Sequence, residues 1–230
     1  MKAIIHVHTS HSFDSFVSVQ KLVDKAIENE IDLLCITDHD TIAGAKEAQN
    51  YAQIHHKGKI QIIIGAEFST EWGDIIGLNI KENIASKNAD EVIENIKKQG
   101  GLVLLPHPFD SHKNVDYLAE KADAIEVFNS RSTPFNNQKA LDLAVRLNKP
   151  QYVASDAHFL SDSMLSVNYF EGQSDLKSLL LNPNKHFETA YSKAINYSKS
   201  QFIKGFKQRN IKVILYSAKM LLLKGVNSKK

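Results

Sequence analysis

Ala3-Ile4-Ile5-His6-Val7-His8-Thr9, with Asp14 close behind, is the stretch whose reading decides the fold. The apolar residues read as a buried strand, and side chains at i and i+2 of a strand point to one face, so His6 and His8 can grip one metal ion together. Thr37-Asp38-His39-Asp40 follows a second apolar run, Ile31, Leu33, Leu34, Cys35 and Ile36. Both groups fall at strand C-terminal ends, where α/β folds build their active sites. Taken alone, a His-x-His is as well explained by two ordinary histidines on a half-buried strand.

The pattern recurs. Gly65-Ala66-Glu67 follows Ile60 to Ile64, Pro106-His107-Pro108 follows Leu102 to Leu105, and Ser155-Asp156-Ala157-His158 follows Gln151 to Ala154. Carboxylates and imidazoles scattered over helix surfaces would not gather just after five separate apolar strands.

Ser18 is placed to cap a helix carrying Val19, Leu22, Val23, Ala26 and Ile27 on one face. The unit then repeats, with a strand at 31–37, a helix near 42–57, a strand at 60–64, a helix near 89–99 ending at Gly100-Gly101, and a strand at 102–105. Phe68 to Ile80, with Trp72-Gly73 at its centre, reads as a hairpin that interrupts the alternation. A short helix near 114–121 precedes a strand at 124–128. Thr133-Pro134 starts a helix to about Leu147, and Lys149-Pro150 leads into a strand at 151–154. This order predicts a parallel barrel or a doubly wound sheet.

With 230 residues, 43% of them hydrophobic and 23% charged, the chain has the composition of a globular protein with one substantial core. No apolar stretch reaches the ~18 residues of a spanning helix, and Met1 to His6 run straight into the first ligand strand; a cytoplasmic protein is expected. The single cysteine, Cys35, lies within an apolar run and reads as a small buried hydrophobe. The net charge of +2 hides an asymmetry: Ala190 to Lys230 holds ten basic residues and no acid, which leaves residues 1–189 at −8. An acidic body suits a site built from carboxylates that divalent cations balance.

The motif order His-x-His, Asp, Thr-Asp-His-Asp, Gly-x-Glu, His-Pro and Ser-Asp-x-His resembles the PHP (polymerase and histidinol phosphatase) superfamily of metal-dependent phosphoesterases, over about Met1 to Gly172. The resemblance implies a distorted (β/α)7 TIM-like barrel, here residues 1–189, and the basic segment 190–230 reads as a C-terminal helical extension. It implies two or three divalent ions, drawn from manganese, zinc, iron or magnesium, at the barrel mouth. Carried over by position, His6 and His8 hold the first ion with Glu67 and Asp156, Glu67 bridges to a second ion bound by His107, and Asp14, His39 and His158 hold a third. In several relatives a histidine follows the bridging glutamate by about ten residues. Here Asp74 stands before Ile75-Ile76-Gly77-Leu78, either as a harder ligand favouring manganese or magnesium, or as a turn residue after Trp72-Gly73.

Clustered ions lower the pKa of bound water and stabilise the oxygens of an in-line displacement at phosphorus, so phosphoester hydrolysis by metal-activated hydroxide follows. Arg131 is placed to hold phosphoryl oxygens as a bidentate donor, or is a surface residue. Asp38 and Asp40 read as orienting the ligands, and Asp156 or His158 could act as a general acid. His11 and His112 could touch substrate; His55, His56 and His186 read as ordinary surface histidines. The basic tail reads as one or two amphipathic helices packed on the barrel with lysines solvated, and otherwise as a contact for nucleic acid or an anionic membrane. The expected substrate is a small phosphomonoester or nucleotide. Exonucleolytic cleavage of nucleic acid and a non-catalytic, metal-stabilised regulatory module are the alternatives.

Overall fold

β1 (Lys2–Val7) pairs in parallel with β2 (Leu33–Ile36), and β2 with β3 (Gln61–Thr70), in a computed structural model that describes residues 1–172, 175–182 and 185–227, with side chains to residue 223. β3 turns back at Glu71-Trp72 into the antiparallel β4 (Gly73–Leu78), the hairpin expected there, and β4 runs antiparallel to β5 (Leu102–Leu105). β6 (Ala124–Asn129) and β7 (Gln151–Ala154) restore the parallel direction. The result is a distorted seven-stranded barrel, nearly closed. At the seam, the Asn168 carboxamide accepts from Val153 N at 2.9 Å and donates to Val153 O at 2.8 Å and Ala3 O at 3.4 Å, spanning the gap between β7 and β1.

Asn168 belongs to β8 (Ser166–Phe170), which runs antiparallel to β1 and carries β9 (Lys185–Thr189) outside it; α6 (Leu176–Leu181) lies between the two. None of these three elements is signalled by the strand and helix periodicities upstream.

The helices start where their caps predict. Ser18 accepts from Lys21 N ahead of α1 (Val19–Glu28), and Asn88 from Glu91 N ahead of α3 (Ala89–Lys98). Thr133 accepts from Asn136 N, with Pro134 opening α5 (Pro134–Arg146). α2 (Ala43–His56) begins instead against the mouth of the barrel, where Gly44 packs on the Asp38 carboxylate and leaves no room for a β-carbon. α4 (Val115–Lys121) completes the surrounding layer.

Two apolar layers follow strand alternation. Ala3, Ile5, Leu33, Cys35, Ile63, Leu104, Tyr152 and Ala154 fill the barrel interior. Ile4, Val7, Leu34, Ile36 and Ile62 face Leu22, Val23, Ala26, Ala45 and Ala48 of α1 and α2. At roughly 25 cal/mol per Å2 of apolar surface removed from water, this double burial is the main force holding the site's scaffold in place.

Past β9 the chain forms a helical hairpin, α7 (Ala194–Lys207) and α8 (Ile211–Asn227). The tail is helical as expected, but its docking differs from an amphipathic helix laid apolar side down. The buried residues of α7 are Asn196, Ser198, Ser200 and Gly205, while Phe202 and Phe206 stay exposed. α7 is anchored by polar contacts: Asn196 Nδ2 and Ser192 Oγ donate to the buried Asp162 carboxylate at 2.8 and 2.5 Å. Lys229 and Lys230 lie outside the described residues. Among the described residues no helix is long and apolar enough to cross a membrane.

Candidate metal centre

Strict alternation along β1 would put His6 on the same side as Ile4, facing the helices. The backbone prevents this. His6 takes φ +73°, the β1–β2 register slips between Ile4 and Val7, and Val7 joins Ile4 on the helix side. His6 and His8 are thereby both turned over the barrel mouth, a bulge doing what an extended i, i+2 pair was expected to do. Asp156 (φ +46°) and His107 (φ +26°) also occupy the left-handed region at their strand ends. Such backbone costs of order 1–3 kcal/mol per residue and persists where the surrounding fold enforces it. Glu67 differs: it sits within β3, not after it, because β3 continues into the hairpin.

Four donor atoms converge under the mouth. His6 Nε2 lies 3.2 Å from His8 Nε2, and each is 3.3 Å from Glu67 Oε2. Asp156 Oδ1 is 3.3 Å from His8 Nε2 and 3.5 Å from His6 Nε2. Donors about 2.05 Å from one tetrahedral centre are separated by about 3.3 Å, so these five spacings match the edge lengths of a metal shell. Beside it, Asp14 Oδ2 stands 2.9 Å from His158 Nε2 and 3.3 Å from His39 Nε2. On the other flank, His107 Nε2 is 3.0 Å from Glu67 Oε1.

Groups of three or more donors lying within 4.8 Å of one another take in all nine residues expected as ligands: His8, Asp14, His39 and His158; His6, His8 and Glu67; His6, His107 and Asp156; His39, Glu67 and Asp74. Among the described residues, Asp74 thus shares a group with His39 and Glu67, and none with His107. Asp14 Oδ1, His39 Nδ1 and His107 Nδ1 are buried without a hydrogen-bond partner. Divalent ions fit this donor set, since nitrogen and oxygen ligands converge, lone pairs are unspent and the carboxylates exceed the fixed positive charge.

The electrostatics point the same way. Burial opposes ionisation of Glu67, Asp14 and Asp156, yet the surrounding imidazoles, and Arg131 beside Asp156, hold all three well below the ordinary carboxylate range. Burial equally opposes charging His8 and His107, but Asp156 and Glu67 beside the first and Glu67 beside the second outweigh it and raise them to about 9 and about 10. The centre calls for positive charge. His158 is the exception: burial and then Arg131 lower it to about 4.

Glu126 escaped the motif reading and is central here. Fully buried, it accepts from His6 Nδ1 at 3.0 Å, from His107 N at 2.6 Å and from Asn129 Nδ2 at 2.9 Å. The available signal was a glutamate inside the otherwise apolar strand Ala124 to Phe128, where an unpaired carboxylate would be costly. Asp38 accepts from Thr9 N at 2.5 Å and Thr9 Oγ1 at 2.7 Å and so fixes the chain after His8. Asp40 reaches no ligand ring; it accepts from Ser69 N at 3.2 Å and pairs with Lys87. His11 turns away to Glu47 at 2.6 Å, and His112 packs behind the hairpin with Nε2 2.8 Å from Asp74 O.

Above the donors lies a pocket of about 480 Å3. Arg131 lines it, with Nη1 3.4 Å from Asp156 Oδ1 and against the His158 ring, Nη2 donating to Ser200 Oγ at 2.8 Å, and the guanidinium over Tyr197. Tyr197, Gln201 and Lys204 of α7 line it as well, so the tail helix is part of the pocket. A larger groove of about 640 Å3 between α2 and the β3–β4 pair is lined by Lys46, Gln49, Asn79 and Lys81 and contains no carboxylate or imidazole.

The model of the PHP domain matches residues 5–215. The chain belongs to the PHP family. With it comes the family's chemistry, metal-dependent hydrolysis of phosphoesters. An uncharacterized protein of Methanocaldococcus jannaschii is 33% identical over 144 residues, covering 56% of this chain and 82% of its own length. A 5'-3' exoribonuclease of Haemophilus influenzae is 30% identical over 47% of this chain, which spans only 43% of that enzyme. In fold, the PHP member resembles a Bacteroides vulgatus two-domain protein containing a predicted PHP-like metal-dependent phosphoesterase. The TM-score is 0.69 at 19% identity, over 83% of this chain and 65% of the other.

Proposed function

We propose that this PHP chain hydrolyses a small phosphomonoester or nucleotide at the pocket over His6, His8, Glu67 and Asp156, using two or three divalent ions of which manganese is the first to test. The observation that carries the reading is the four-atom set with five spacings of 3.2–3.5 Å beneath a pocket large enough for a nucleotide-sized ligand. His6, His8, Glu67 and Asp156 would hold one ion, Asp14, His39 and His158 another, and Glu67 with His107 a third; Asp74, which groups with His39 and Glu67, would add a harder ligand on that side. Ions in such sites activate water and neutralise phosphoryl charge.

The chain's own residues do the rest. Arg131 binds the phosphoryl oxygens that face away from the donors, its guanidinium preset by Asp156, Ser200 and Tyr197. Asp156 and His158, both deprotonated at neutral pH, act as ligands. They have no proton to give a leaving group, which takes one from water. The α7 wall limits how much substrate enters.

The exoribonuclease relatives support a second reading, cleavage of a nucleotide from an RNA end, with the rest of the strand leaving the pocket past Phe109. The single, buried thiol of Cys35 accords with a cytoplasmic location. A panel of phosphomonoesters, dinucleotides and short RNA, assayed with manganese, separates the two substrate classes. Under either, His6→Ala, Glu67→Ala and Asp156→Ala each lose at least ~10²-fold in turnover. Full activity in all three would refute the site.

A further inference from the structure

The outer side of the tail hairpin exposes an apolar stripe that the barrel does not use. On α8, Ile211, Leu215 and Leu222 fall on one line of the helix and are 69%, 65% and 73% exposed. Tyr216 and Leu223 form a second exposed apolar line about 100° round the helix, Lys212 and Lys219 stand exposed between the two lines, and Phe206 of α7 is exposed as well. The opposite side of α8 is spent within the hairpin: Ser217 is buried, and Ile214 packs against Gly205 so closely that a β-carbon there would clash. A helix kept only for packing on its own protein would bury Ile211, Leu215 and Leu222.

We propose that this face docks on an anionic lipid bilayer surface, with α8 lying in the plane of the interface. Charge selects the occupant. Residues 190–230 contain ten basic side chains and no acidic one, so a second copy of the hairpin would bring the same charge against itself. A nucleic acid would satisfy the lysines and leave the aliphatic stripe in water. An anionic membrane meets both demands, the aliphatic side chains entering the headgroup–acyl boundary while Lys212 and Lys219 reach lipid phosphates. The described residues of α8 do not have the length and apolarity to cross a bilayer, which fits a helix lying on it. Since α7 contributes Tyr197, Gln201 and Lys204 to the pocket, docking holds the site close to the membrane surface. The proposal is independent of which phosphoester is cleaved.

The test is co-sedimentation of the full chain with vesicles of phosphatidylglycerol and phosphatidylcholine (1:1) against pure phosphatidylcholine, beside binding to a single-stranded RNA and the molar mass by light scattering. Binding to the anionic vesicles is expected to be at least tenfold tighter than to the neutral ones and to fall steeply as salt rises. The triple variant Ile211→Ser/Leu215→Ser/Leu222→Ser is expected to lose at least tenfold of vesicle binding while keeping wild-type hydrolysis of a soluble phosphoester and an unchanged circular-dichroism melt. Absence of binding to anionic vesicles, or undiminished binding by the triple variant, would overturn the proposal. So would a dimer that the triple variant dissociates, or RNA binding lost in that variant without vesicle binding in the wild type.

Discussion

His6 Nδ1 donates to Glu126 Oε1 at 3.0 Å, and both side chains are fully buried. This bond fixes the imidazole so that Nε2 alone faces the centre, and it draws proton density towards the carboxylate, making Nε2 a better electron-pair donor. Glu126→Gln keeps the size but removes the charge. It is expected to weaken manganese binding by about 10- to 100-fold with little change in melting temperature of the metal-free protein, read by calorimetric titration of the metal. Wild-type affinity would mean that Glu126 serves only to hold His107 N and Asn129.

Ion binding should release protons. In the metal-free chain His8 and His107 titrate at about 9 and about 10, so both carry a proton at pH 7 that a bound cation must displace. The sign follows: affinity rises with pH between about 6 and 9, by about one logarithmic unit per pH unit for each proton released. Titrations in buffers of different ionisation enthalpy count those protons directly. A pH-independent affinity across this range would show that neither histidine is a ligand.

Asp74 offers its carboxylate next to His39 and Glu67, while its carbonyl accepts from His112. Asp74→Asn should lower the metal content by about one ion and leave the His6–His8 set loaded, measured by elemental analysis after gel filtration with manganese. An unchanged content would make Asp74 a turn residue of the β3–β4 hairpin.

The sequence made the site's donors legible because apolar runs mark strands and each run ends in a ligand type. It gave no access to the bulge at His6, since backbone dihedrals of +73° arise from register with β2 and not from local composition. Glu126 was hidden for a related reason: in one dimension it is a lone acid in an apolar strand, and only the closed barrel brings it to His6 and His107. β8 and β9 lacked a sharp alternation, and Asn168, which seals the barrel seam, looks in the sequence like any polar strand residue. The tail showed its helices and its charge, whereas its polar docking face of Asn196, Ser198 and Ser200 runs against the expectation that a helix packs through its apolar side.

Lys207 ties that tail to the centre. Its ammonium donates to Ser10 O at 2.8 Å, Ser12 O at 2.7 Å and Ser15 O at 2.7 Å, using all three hydrogens on the loop that carries Asp14. Charge-assisted bonds of this kind contribute about 1.5–3 kcal/mol each when buried and less when water competes, as it does at this partly open site. Lys207→Met keeps an unbranched side chain and removes the three bonds together with the ammonium's contact over the Phe16 ring. The loop should loosen, lowering occupancy at Asp14, His39 and His158, while the ion at His6, His8, Glu67 and Asp156, whose ligands lie within strands or directly after them, stays bound. Elemental analysis should therefore read a loss of about one ion, with a small drop in melting temperature, and hydrogen exchange should speed up in residues 10–16. Full metal content with unchanged exchange in that loop would show that the barrel alone holds Asp14 and that α7 shapes the pocket without supporting the metal site.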